Sequence, residues 1–187
     1  MNTQVRGKGF TLIEAVMVVA LMAVIVTIAI PAGSSMVEAT QRRSAVAQLV
    51  GGFAVARSTA IQERVAVTVC PLDSNDRCTS DWTKPVTVFR DPKRLRALTD
   101  RRQVVRVLPT PDTGRITANT GNRRYFGFRG TGMARSAIGN LIWCPDDGNV
   151  KNAIQLRINM GGRLKQAKDW NGDGVVEGAN GRPIVCS

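Results

Sequence analysis

Twenty-one consecutive residues, Phe10 to Ile30 (FTLIEAVMVVALMAVIVTIAI), contain a single ionisable side chain, Glu14. As a helix rising about 1.5 Å per residue, the run spans roughly 32 Å. That matches the roughly 30 Å hydrocarbon core of a bilayer. Any fold for this chain must therefore accommodate an N-terminal rod built for lipid, or for other rods like it. Arg6 and Lys8 precede the run, which keeps the N-terminus in the cytoplasm and sends everything after Pro31 across the membrane. A secretory signal places its cleavage site after the apolar stretch. Here Gly9 stands before it, and a cut between Gly9 and Phe10 would release residues 1–9 while retaining the rod.

Glu14 costs about 2.5–3.5 kcal/mol near mid-bilayer, and less near an end. Residues that expensive have partners. The α-amino group freed at Phe10, one turn away or on a neighbouring subunit, is an available cation.

Gly9-Phe10-Thr11-Leu12-Ile13-Glu14 resembles the class III signal of type IV pilins and type II secretion pseudopilins. The resemblance implies that prepilin peptidase cuts after Gly9 and methylates Phe10, and that Glu14 pairs with a neighbour's amino terminus during assembly. Pro31, expected to kink the helix, fits the same family. It also implies an inner-membrane prepilin with a periplasmic head, later assembled into a cell-surface pilus with major and minor pilins.

Without its leader the chain has 178 residues, room for the anchor and one head domain with a core of its own. Net charge is +12, falling to +10 with the leader gone. The excess is concentrated between Arg90 and Arg135, where twelve Lys or Arg face Asp91, Asp100 and Asp112. Arginine suits phosphate or carboxylate, so this stretch points to DNA, lipopolysaccharide phosphates or an acidic neighbouring subunit, or else to a solvated face. Few aromatics interleave it, which argues against base stacking.

All four cysteines follow the rod, on the oxidising side. Three pairings are possible. We favour Cys70–Cys78, closing a small loop with Pro71, Asn75 and Asp76, with Cys144–Cys186 then tying the tail back to a strand. With no histidine and no C-x2-C pairs, a zinc site is not built. The lack of histidine also removes Ser-His-Asp and Cys-His catalysis. Neither a phosphate-binding glycine loop nor HExxH appears, so no enzyme is expected.

The helical pattern continues to about Gln62, with Val37, Thr40, Ala47, Val50, Ala54 and Ile61 as a loose apolar stripe. Gly51-Gly52 weakens that stretch or permits a bend or a close helix–sheet approach. We therefore divide the chain into leader 1–9, helix 10–64 (10–30 in the membrane or filament core) and head 65–187. Strands are expected at Val65–Cys70, Val86–Arg90, Val104–Leu108, Arg123–Phe128, Leu141–Cys144 and Ala153–Asn159. Turn signals fall at Asn119–Asn122, Gly130–Gly132 and Asn159–Gly162. The expected class is α+β, a long N-terminal helix packed on an antiparallel β-sheet domain, type IV pilin-like.

Phe126–Ala134 and Ala153–Asn159 followed by Gly161-Gly162-Arg163-Leu164 resemble the GspH/FimT domain. The Trp143-Cys144 strand and Cys186 resemble the disulfide region of FimT/FimU minor pilins. A minor pilin that primes assembly at the tip is implied, with a GspH-like minor pseudopilin of type II secretion as the alternative. Some FimT-type pilins bind double-stranded DNA without sequence preference through a C-terminal G-R-x-R element. Here Gly162-Arg163-Leu164-Lys165 substitutes Lys165 for the last arginine, with Lys168 and Arg182 as further candidates. The other reading is a structural hairpin turn.

Asp169-Trp170-Asn171-Gly172-Asp173-Gly174-Val175-Val176-Glu177 matches the front of a calcium loop. Asp169, Asn171, Asp173 and the Val175 carbonyl would be ligands, with Glu177 acting through water. Asn180 occupies the position where such a loop needs a bidentate Glu. An Asx-rich turn without metal explains the same residues, and no cofactor is expected.

Overall fold

The computed structural model describes residues 11–135, 139–178 and 180–186. Helix α1 runs Leu12–Glu63, and the assignment continues through Pro31. The chain divides into two compact units, Met1–Thr40 and Gln41–Ser187, so the second half of α1 belongs to the head.

In the first unit the described side chains of the rod, residues 11–27, are all exposed. Leu12, Ile13, Val19 and Leu21 are 84, 67, 68 and 65% exposed. Thr11 starts the helix: its hydroxyl accepts the Glu14 N–H at 3.3 Å and its carbonyl accepts the Ala15 N–H. Thr11-x-x-Glu14 has the spacing of a capping box, and an acid in the first turn also complements the helix dipole. Gly9 and Phe10 lie outside the described residues.

Among the described residues the head adds nine strands: β1 Val67–Pro71, β2 Val86–Arg90, β3 Val104–Leu108, β4 Arg115–Asn119, β5 Phe126–Phe128, β6 Ala134–Arg135, β7 Gly139–Cys144, β8 Ile154–Ile158 and β9 Leu164–Gln166. They form two antiparallel sheets, ordered β3-β2-β1-β5-β6 and β4-β7-β8-β9. The expected antiparallel β domain is thus built of two sheets, and both share one core with the helix. Ala45, Leu49, Phe53, Ala56 and Ala60 face it from α1. Val67, Val69, Val88, Phe126 and Phe128 come from the first sheet, and Ile116, Leu141, Trp143, Leu156 and Ile158 from the second. Phe53 packs edge-on against Phe126 and Phe128, at centroid distances of 5.2 and 6.2 Å.

The expected stripe on α1 is not the buried one. Val37, Thr40, Ala47, Val50, Ala54 and Ile61 are all exposed. This part of the helix is apolar on most of its circumference, so period alone does not select a face. Volume does: Phe53, 1% exposed, packs against Phe126 and Phe128 of β5. Gly52 is the point of closest approach, where an added Cβ would lie 2.5 Å from Leu108 Cδ1, whereas one on Gly51 would meet nothing within 4 Å.

Strands β4, β6 and β9 were not expected. β4 follows Gly114, which has φ +72° and where a Cβ would lie 2.5 Å from the Cys144 carbonyl. The Trp143 indole N–H donates to Thr113 O across that turn. Arg123–Tyr125 is not part of β5, whose ladder with β1 begins at Phe126. At its C-terminal end α1 is clamped to β2 by the bidentate Arg90–Glu63 pair, at 2.5 and 2.7 Å. Arg90 holds the Glu63 carboxyl below the usual carboxylate range.

Candidate functional site: assembly helix and C-terminal cationic cleft

Among the described residues no group bonds the Glu14 carboxylate, whose surroundings on the rod are exposed valine, leucine, isoleucine and methionine. Within Met36–Glu63 one 18-residue window reaches mean hydropathy 1.2, and a third of that window is buried. Glu38, Arg42, Arg43, Arg57 and Glu63 fall within Met36–Glu63. Lipid therefore suits the earlier stretch better, where Glu14 is the single ionisable side chain. In the head, α1 presents apolar residues on two faces. One is packed against the sheets, and the other, with Ala47, Val50 and Ala54, is exposed.

The C-terminal turn is built tightly. β8 enters it at Ile158 and β9 leaves it at Leu164, paired to each other. Gly162 has φ +74°, and a Cβ there would lie 2.4 Å from the Gly132 carbonyl and 3.3 Å from Arg57 Cδ. Arg57 Nε donates to that same carbonyl at 3.1 Å, and the Ala134 N–H donates to Met160 O at 2.9 Å. The β8–β9 tip thus rests on the β5–β6 tip and on α1. This close approach is a sufficient structural reason for the glycine.

The neighbouring cations stay outside that packing. Arg163, Lys165, Lys168 and Arg182 are all exposed. A cleft of about 610 Å³ brings two of them together: Lys165 and Lys168 line it with Arg157, Ile158, Met160 and Trp170. Neither Arg163 nor Arg182 lines this cleft. Met160 and Trp170, 62 and 77% exposed, were not among the expected site residues. A lone tryptophan inside an acidic loop carries no sequence signal for a basic cleft. Arg182 belongs to the tail turn, where its N–H donates to Asn180 Oδ1 and its carbonyl accepts from Gly178.

The acidic loop folds on its own backbone. Asp169 accepts the N–H groups of Gly172 and Gly174, Asn171 that of Asp173, and Asp173 that of Val175. Buried Glu177 accepts the Trp170 N–H at 2.9 Å. Carboxylate oxygens of Asp169, Asp173 and Glu177 lie within 4.8 Å of one another. Oxygen donors suit a hard divalent cation, but calcium takes about 6–8 of them, more than these three carboxylates supply alone. Asn180 bonds the Arg182 backbone instead. Glu177 brings its carboxylate into the cluster itself.

The structure pairs Cys70 with Cys78 and Cys144 with Cys186. The basic stretch is partly neutralised. Arg90, Arg101 and Arg102 pair with Glu63, Asp76 and Asp100.

One long N-terminal helix whose second half carries antiparallel sheets defines the pilin-like α+β fold. Crystal structures of the type IV minor pilin FimU of Pseudomonas aeruginosa (strain PAO1) share it. In space group P21 the match is at 18% identity and TM-score 0.53, over 79% of this chain and 96% of that one. In space group P65 it is at 18% and 0.50, over 67% and 92%. No curated protein sequence is a significant match. The profile of Type II transport protein GspH matches residues 45–162, and the prokaryotic N-terminal methylation motif matches residues 6–30. The chain belongs to the GspH family and carries a prokaryotic N-terminal methylation motif. Such proteins are structural subunits rather than enzymes, processed by prepilin peptidase and assembled with other pilins.

Proposed function

We propose that this protein is a minor type IV pilin that primes filament assembly and sits at the tip. The observation that carries this reading is the apolar surface the chain cannot bury alone. It comprises the uncovered rod of the first unit and, separately, the Ala47, Val50 and Ala54 face in the head. Leaving such surface in water costs about 25 cal/mol per Å². Lipid covers the rod before assembly and neighbouring helices cover it afterwards, with Glu14 set against a neighbour's freed Phe10 amine. A clean deletion scored for surface pili and for type II secretion tests this. Lost piliation with normal secretion supports the tip role, and the converse makes the protein a minor pseudopilin.

A second role rests on the four exposed cations near the C-terminus. Arg163, Lys165, Lys168 and Arg182 would hold double-stranded DNA through its phosphates, without sequence preference and with strong salt sensitivity. A gel shift with the purified head tests it. Binding that vanishes in Arg163→Ala plus Lys165→Ala supports the role, and unchanged or absent binding at low salt refutes it.

A further inference from the structure

A second cationic feature lies apart from the C-terminal cleft. A polar groove of about 420 Å³ is lined by Arg77, Arg96, Arg123, Arg124 and Tyr125, within the range of small-ligand sites. Its one acidic lining residue, Asp73, is already engaged, accepting the backbone N–H groups of Arg77 and Asn75 at 2.9 Å each. Those bonds, that of Arg77 foremost, hold its carboxyl below the usual range, so it stays an anion tied to its own loop.

The walls are pre-set. The Cys70–Cys78 disulfide closes the first loop. Buried Asp91 holds the second, accepting the N–H groups of Leu95 and Arg96 and the Thr68 hydroxyl at 2.7, 3.0 and 3.0 Å. The two loops are stitched by Cys78 N–H to Arg96 O and by Leu98 N–H to Asp76 O, at 2.9 and 2.8 Å. Asp76, Arg94 and Arg96 hold left-handed backbone at φ 55, 58 and 57°. Non-glycine residues seldom adopt it, and such strain concentrates at functional sites. Arg96 is set over the Tyr125 ring at 5.1 Å, which fixes its guanidinium. An adjoining recess shares Arg96 and Tyr125 and adds Arg94, the already engaged Asp91 and Arg135, whose buried Nη1 has no hydrogen-bond acceptor among the described residues.

We propose that this groove binds a terminal phosphate group, either the free ion or a sugar-borne monoester. Guanidinium forks from Arg77, Arg96 and Arg124 offer more donors than the two oxygens of a carboxylate accept, and a terminal phosphate presents three oxygens and up to two charges. A DNA phosphodiester offers one charge and two free oxygens. Its strand must also run on past both ends of the site. Arg96, already held over Tyr125, loses little side-chain entropy on binding.

Calorimetry on the mature full-length protein in a nonionic detergent at low salt tests the assignment. The probes are inorganic phosphate, glucose 1-phosphate and a thymidine oligonucleotide lacking terminal phosphates. Saturation by one of the first two below about 1 mM is expected. Binding by inorganic phosphate alone identifies the free ion, and tighter binding by glucose 1-phosphate identifies the ester. Arg77→Gln with Arg124→Gln weakens binding at least tenfold. Arg96→Lys, which keeps the charge and loses the fork, also weakens it, whereas Arg163→Ala with Lys165→Ala leaves it unchanged. No heat from either phosphate at tenfold higher concentration overturns the proposal. So does equal binding by the groove variants, or oligonucleotide binding as tight per phosphate as that of glucose 1-phosphate.

Discussion

Gly51 and Gly52 are adjacent in one helix, yet the same substitution should act on them with different outcomes. Replacing glycine by alanine inside a helix gains about 1 kcal/mol in propensity. At Gly51 the new methyl meets nothing within 4 Å, so the whole gain is realised. At Gly52 it would sit 2.5 and 2.7 Å from the two Leu108 methyls and 3.0 Å from Cγ. Leu108 is 2% exposed and packed in the core, so it has little room to turn away. Overpacking of this kind costs about 1–3 kcal/mol. Gly51→Ala is therefore expected to stabilise the head by about 1 kcal/mol, raising its melting temperature by about 2–4 °C. Gly52→Ala should range from neutral to about 2 kcal/mol destabilising once its cost offsets the propensity gain. Urea unfolding of residues 41–187, followed by far-UV circular dichroism, measures both. If Gly52→Ala stabilises as much as Gly51→Ala, the close helix–sheet approach is not the reason for the glycine.

The disulfides should differ in value. By chain entropy, Cys144→Ser with Cys186→Ser should cost about 4 kcal/mol for a sequence separation of 42. Cys70→Ser with Cys78→Ser should cost about 2.5 kcal/mol for a separation of 8, and equal losses in denaturant midpoints would contradict this. The Arg90 hydrogen bond lowers the folded pKa of Glu63. The resulting stabilisation is present at neutral pH and lost as pH falls from the ordinary carboxylate range through the lowered folded value. Arg90→Gln should flatten that part of an acid-unfolding curve, and an unchanged curve would show the pair to be inert. Millimolar calcium should raise the melting temperature by relieving repulsion among Asp169, Asp173 and Glu177. Asp169→Asn should abolish the shift, and a wild-type midpoint indifferent to calcium would remove the metal from the loop.

Much of the scaffold was legible because it is written locally. β2 and β3 are β-branched runs bounded by turns and were expected with the observed ends. The extent of α1 followed from the apolar run to Ile30 and the loose apolar stripe that continues to about Gln62. β6 and β9, with two and three residues, exist only through partners far along the chain. β4, reading Arg-Ile-Thr-Ala-Asn, lacks the apolar density of its neighbours and is held by β7. The buried face of α1 was misread because helical period places a stripe only when the opposite face is polar. At the sites, the charges of Lys165 and Lys168 are plain in the sequence, but their cleft depends on Trp170 and Met160. The arginine groove draws on residues near 77, 96 and 124, which only the disulfide loop and the Asp91 brace bring side by side.

The Cys144–Cys186 crosslink changes what a protease in the cell envelope could accomplish. A single cut at an exposed turn between those two residues would leave both pieces covalently joined. On a gel run without reductant the subunit would migrate as one species, and adding thiol would reveal two. Damaged copies could thus persist in a fibre, and their abundance is measurable only by comparing the two lanes.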